Sequence, residues 1–200
     1  GTAVVMWTMT LVLLTYVLLT KAFSATRLLT AWSPPHGREI LRIAKLGLPI
    51  GLAIFFEVSS FALVAILVSP SGEIAVAGHQ IALSVTSVIF MLPLSLALAL
   101  TIRCGHHFGA QDLAALQLTR RVGLTATTLM ACGTALMLLL LREPIVQLYS
   151  TDPAVIDLAT QLLLFAVAYQ IADALQVGAA GCLRGLQDTR SPMQLTLLAY

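Results

Sequence analysis

Long apolar runs, broken at near-regular intervals by short polar stretches, set the plan of this 200-residue chain. A helix needs about 20 predominantly apolar residues to cross a hydrocarbon core about 30 Å thick. Five runs reach that length, over residues 2–20, 47–69, 74–102, 122–141 and 155–183. A sixth starts after Pro192 and stops at Tyr200, well short of a span, and the first starts at residue 1 with no loop before it. The pattern predicts an all-α, polytopic transmembrane helical bundle of about five spans plus a truncated sixth, cut at both ends from a longer protein.

Composition agrees with that plan. Hydrophobic residues make up 58% of the chain and charged residues 10%, with a mean hydropathy of +0.94. Soluble domains average about 45–50% apolar and about 25% charged. The net charge of +2 is spread over the loops, so no basic stripe is offered to a nucleic acid. Its distribution is more informative. Lys21, Arg27, Arg38, Arg42 and Lys45 fall in segment 21–45, Arg103, Arg120 and Arg121 in 103–121, and Arg184 and Arg190 in 184–190. The intervening loops hold Glu73 in one, and Arg142 with Glu143, Asp152 and Asp157 in the other. The positive-inside rule makes the first three segments cytoplasmic, and the five spans then alternate without conflict. The first span lacks a basic stretch before it and a small-residue cleavage site after it, so the spans themselves are expected to direct insertion. Segment 21–45, with Trp32-Ser33-Pro34-Pro35-His36-Gly37 ahead of a short basic amphipathic piece from Arg38 to Lys45, reads as a hinge or an ordinary connector. Cys104, Cys132 and Cys182 are odd in number and lie in or beside apolar runs, which predicts free thiols.

Two carboxylates interrupt the apolar pattern. Glu57 lies ten residues past Gly47 and Asp173 eleven before Arg184, which at a helical rise of 1.5 Å puts both about 15–16 Å from the cytoplasmic boundary. A carboxylate at that depth costs about 2.5–3.5 kcal/mol even on the lenient insertion scale, so by default it faces a polar interior and marks an ion or substrate path. Tyr169 and Gln176 share the face of Asp173, and Ser60 that of Glu57, by helical spacing. Such an oxygen-rich lining suits a hard cation such as Na⁺, while a desolvated carboxylate takes up H⁺ more readily. Both coupling ions stay open. The bland alternative is that the two acids only hold helices together through hydrogen bonds, which are worth about 0.6 kcal/mol each in membranes.

Other polar residues carry weaker signals. Gln80, next to His79 and continued at helical spacing by Ser84 and Ser87, forms a candidate substrate-facing stripe, although serines in membrane helices commonly bond their own backbone. Pro93 should bend its helix. Cys104, His106 and His107 invite a metal reading, but no second ligand cluster completes a set, so a solvated loop is expected there, with Gly105 and Gly109 in a tight surface turn. No metal beyond a monovalent coupling cation and no cofactor is expected. The chain contains no HExxH pair, no Gly-x-Ser-x-Gly elbow and no phosphate-cradling loop with Lys, so it does not read as an enzyme.

Three stretches, GLPIGLAIFFEVSSFALVAILVSP, AGHQIALSVTSVIFMLPLSLALALTIRCGHHFGAQD and YQIADALQVGAAGCLRGLQDTRSP, resemble the multidrug and toxic compound extrusion (MATE) family in its NorM-type branch. The resemblance implies twelve helices in two bundles. Residues 1–20 would be the last helix of the N-terminal bundle, 21–45 the cytoplasmic inter-bundle connector and 46–200 a truncated C-terminal bundle. It also implies a multi-pass protein of the bacterial inner membrane, monomeric at full length, that exports cationic, amphipathic small-molecule drugs in exchange for Na⁺ or H⁺. In the family pattern Glu57, Asp173 and Tyr169 stand at the cation-site positions. Gln80 and Gln176 remain the candidates for substrate contact. Two rivals are a lipid-linked precursor flippase, which would need basic residues in mid-membrane, and an intramembrane enzyme, which would need acids paired in a motif that Glu57 and Asp173 do not form.

Overall fold

The computed structural model describes residues 1–20 and 36–199, and all of its regular structure is helical. The described helices are α1 (Thr2–Leu19), α2 (Gly37–Val68), α3 (Glu73–Gly109), α4 (Leu113–Gln147), α5 (Pro153–Gly185) and α6 (Arg190–Ala199), with a 3₁₀ turn at Ser69–Ser71. Among the described residues five helices are long and apolar enough to cross a membrane. The chain divides into two compact units, Gly1–Arg42 and Ile43–Tyr200. In the first, α1 buries none of its side chains, and its Thr8, Thr10 and Thr15 hydroxyls donate to carbonyls four residues back, which hides their polarity along an apolar helix.

The helices outrun the apolar runs that predict them. Backbone hydrogen bonding continues past the edge of an apolar segment until a breaker or a cap ends it. The piece Arg38–Lys45 is therefore the start of α2, which continues through Gly47 and Pro49, whereas the sequence reading placed the helix start near Gly47. Residues 21–35 of the expected connector lie outside the described residues. Cys104, His106 and His107 sit in the last turns of α3, not in a loop, and α3 runs unbroken through Pro93.

In the second unit the core is formed by α3, α4 and α5 packed on one another. On α5 the buried residues Val155, Ala159, Leu163, Ala166, Gln170, Ala174, Gly178 and Gly181 recur every three or four positions and so form one stripe. Where α5 crosses α3 the stripe is made of small residues. A Cβ added at Gly181 would lie 2.4 Å from the Ala97 carbonyl oxygen, and one at Gly185 would lie 2.6 Å from that of Thr101. Gly105 meets Gly185 in the same way, its Cβ position being 3.3 Å from the Gly185 oxygen. Gly105 thus serves close helix packing and not the surface turn expected for it. Thr101 closes the seam by donating to its own-helix Ala97 carbonyl at 2.8 Å and across to Gly181 at 3.0 Å. Without a hydrophobic drive between helices in lipid, this close backbone approach and cross-helix bonding is what associates them. On the α4 side, Thr127 contacts Gly178 and the Gln170 amide donates to the Thr134 hydroxyl.

Two connections repeat one device. Gly109-Ala110-Gln111-Asp112 and Gly185-Leu186-Gln187-Asp188 each end a helix at glycine, turn through a left-handed glutamine (φ 57° and 64°), and present an aspartate to the next helix. Asp112 accepts from the Ala115 N–H at 2.9 Å, and Asp188 accepts from the Ser191 N–H at 3.1 Å and hydroxyl at 2.7 Å. These bonds hold the Asp188 carboxyl below its ordinary range, so its capping contribution is present at neutral pH and is lost only as pH falls through that lowered value.

The charge-derived orientation places the start of α4 inside the cell and the 3₁₀ turn outside. A single cysteine at Ser71, on a background lacking the three native thiols, is expected to react with an impermeant maleimide added to intact cells, and one at Ala114 is not. Labelling at Ala114 from outside would reverse the orientation.

Candidate cation site

Glu57 lies on the covered face of α2. Pro49, Ala53, Phe56, Glu57 and Ser60 are the less exposed positions and recur at helical spacing, while Phe55 and Val58 beside them are exposed. The Ser60 hydroxyl donates to the Phe56 carbonyl at 3.0 Å and is not free to bind a ligand by that proton. Phe56, Ser59, Ser60 and Leu63 of α2, with Leu197 of α6, line an open cleft of about 140 Å³.

Asp173 and Tyr169 lie on the flank of α5, each one position before a buried residue, Ala174 and Gln170. Packing on α3 and α4 consumes the stripe and leaves its flank less covered. Asp173 is partly covered and Tyr169 is 48% exposed. The carboxylates of Glu57 and Asp173 are within Coulombic range of each other, Asp173 is within range of the Tyr169 oxygen, and the Arg184 guanidinium acts on Glu57. Glu57 thus acts on Asp173 by charge and Asp173 on Tyr169, while α2 is not packed against α5.

Of the remaining candidates, both exposed, Gln80 lies on α3 and Gln176 lies on α5 one turn after Asp173. Ser84 donates to the Gln80 carbonyl at 2.9 Å, the backbone bonding expected of a membrane serine. Among the described residues no group of three or more His, Cys, Asp and Glu side chains could hold a metal ion. Arg184, which the sequence did not single out as a site residue, acts on Glu57 by charge.

The MatE family profile matches residues 49–200, which takes in Glu57, Tyr169 and Asp173. The chain belongs to the MatE family. A probable multidrug resistance protein NorM of Acinetobacter baylyi is 50% identical over the whole chain, which covers 44% of that relative. The multidrug resistance protein PmpM of Pseudomonas aeruginosa is 45% identical over the whole chain and 42% of its own length. The NorM of Vibrio cholerae is 43% identical over the whole chain and 44% of its own length. This MatE chain thus spans less than half the length of the curated relatives it matches, and it is a multi-pass membrane protein.

Proposed function

We propose that this chain is the C-terminal part of a secondary antiporter that exports cationic, amphipathic drugs in exchange for Na⁺ or H⁺. The reading is supported by Glu57 on α2 and Asp173 on α5, lone carboxylates in the apolar parts of two helices long enough to cross a membrane. Names of relatives as multidrug resistance proteins support the substrate class. The grouping of two acids also favours a cationic cargo over the anionic pyrophosphate of a lipid-linked precursor. Basic residues of α2 to α5 lie toward helix ends, at Arg38, Arg42 and Lys45, Arg103, Arg120, Arg121 and Arg142, and Arg184.

The mechanism follows from charge. With the site empty, Glu57 and Asp173 repel across the gap between α2 and α5, which favours a packing that holds the helices apart. A bound cation or proton cancels that repulsion and favours closer packing. A ligand shifts such a two-state equilibrium only by its differential affinity for the two states, and here the entire differential comes from the two acids and Tyr169. A cationic drug and the coupling ion neutralise the same charge, so each weakens binding of the other, and the ion gradient displaces the drug outward.

The test is drug efflux by the full-length protein in everted vesicles, with a Na⁺ gradient and a pH gradient imposed separately. Efflux should follow one of the two and collapse with its ionophore. Efflux that persists without either gradient, or that requires ATP, would end the antiporter reading.

A further inference from the structure

We propose that Cys104 of α3 and Cys182 of α5 form a two-thiolate site for a soft, closed-shell monovalent cation, Cu⁺ or Ag⁺, near the cytoplasmic end of the α3–α5 seam. The site is separate from Glu57, Tyr169 and Asp173 and does not depend on their reading as the coupling site.

The backbone brings the two thiols together. A Cβ at Gly181 would lie 2.4 Å from the Ala97 carbonyl oxygen, and one at Gly185 would lie 2.6 Å from the Thr101 oxygen and 2.9 Å from the Cβ of Cys104. Cys182 follows Gly181 directly and precedes Gly185 by about one helical turn, so it stands beside this contact. Cys104, Cys182 and Leu100 make one buried cluster, with Cys104 1% and Cys182 5% exposed. Both thiols are free, whereas Cys132 lies exposed on α4. A single buried thiol in apolar surroundings is ordinarily inert. Here two of them meet across helices in backbone contact, so a ligand that needs both finds them already gathered.

The chemistry of the pair selects the ion. Thiolates are soft ligands that select Cu⁺, while the hard cations take oxygen. A structural zinc site needs four ligands, and among the described residues no group of three or more His, Cys, Asp and Glu side chains could hold a metal. A closed-shell monovalent ion, by contrast, is satisfied by two thiolates in line. Binding is an exchange without change of oxidation state: two S–H bonds release their protons, two sulfur–metal bonds form, and the neutral pair becomes a complex of one negative charge. Leu116 of α4 packs against the cluster, and Arg120 follows it by four residues on the same helix face, which brings a positive charge to that end of the seam.

The experiment titrates the full-length protein, with Cys132 and any cysteine outside this chain replaced by serine, with Ag⁺ in chloride-free buffer and with Cu⁺ without oxygen. Ultraviolet thiolate-to-metal absorbance and the thermal midpoint are followed. One equivalent should bind and raise the midpoint, because the ion joins α3 to α5 only in the folded protein. Cys104→Ser and Cys182→Ser should each weaken binding by more than the about ten- to hundredfold that loss of an outer partner of a metal ligand costs. Their midpoints without metal should stay near that of the parent, and Cys104→Ala and Cys182→Ala repeat the measurement with a smaller side chain. No binding by the parent protein, or parental affinity in either single variant, would overturn the proposal. Drug efflux plays no part in these readouts, so failure of the antiporter reading and failure of the thiol site are told apart.

Discussion

Glu57→Gln and Asp173→Asn in the full-length protein should each abolish gradient-driven efflux while leaving the amount of protein in the membrane near normal. Each change keeps size and hydrogen-bonding capacity and removes only the charge. A unit charge about 4 Å from a cation, at the effective dielectric of about 20 that suits protein interiors, is worth about 4 kcal/mol, or about a thousandfold in ion affinity. That is large enough to take a site tuned to a working gradient out of its range. Abundance is spared because a carboxylate within a membrane helix is an expense to the fold, and its neutral isostere inserts more easily. The measurement is drug efflux in vesicles under the coupling gradient, with protein quantified by immunoblot. Unimpaired coupled efflux in either variant would remove that residue from the mechanism.

Gly181→Ala is expected to destabilise the protein by about 1–3 kcal/mol, the usual cost of forcing atoms into a filled interface. The new methyl would fall 2.4 Å from the Ala97 carbonyl oxygen and 3.0 Å from two further Ala97 backbone atoms, so a helix and not a side chain has to move. Glycine-to-alanine changes inside helices normally gain about 0.5–1 kcal/mol, since alanine loses less conformational entropy. Gly133→Ala, where no atom lies within 4 Å, should show that ordinary gain. The pair has opposite signs for identical chemistry, and thermal midpoints of the purified full-length variants read the difference. Equal midpoints would mean that the α3–α5 approach is looser than described.

Much of the fold was legible because the length of an apolar run is itself the quantity a bilayer selects. Helix ends were not legible from that quantity. Arg38–Lys45 and Cys104–Gly109 are polar enough to read as loop, yet nothing in them stops backbone hydrogen bonding, and they extend α2 and α3. Glu57 and Asp173 stood out as lone charges in apolar runs. Which flank of one helix meets which flank of the next is information that single-helix spacing does not contain. Gly181 and Gly185 were missed for a related reason, because the seam needs Ala97, Thr101 and Gly105 on the facing helix to become visible.

That seam also limits how the bundle can move. Helices in backbone contact through glycine cannot slide by a fraction of a turn, since every intermediate position drives Cys104 or Ala97 into the opposing main chain. Any conformational cycle must carry α3 and α5 as one rocker arm, with the change of shape falling on partners held by longer side chains. The chain contains its own gauge of this: the thiols of Cys104 on α3 and Cys182 on α5 are buried neighbours in one cluster with Leu100. Joining them directly as a disulfide with an added oxidant, in otherwise cysteine-free full-length protein, would clamp two parts that never separate, and efflux should continue as before.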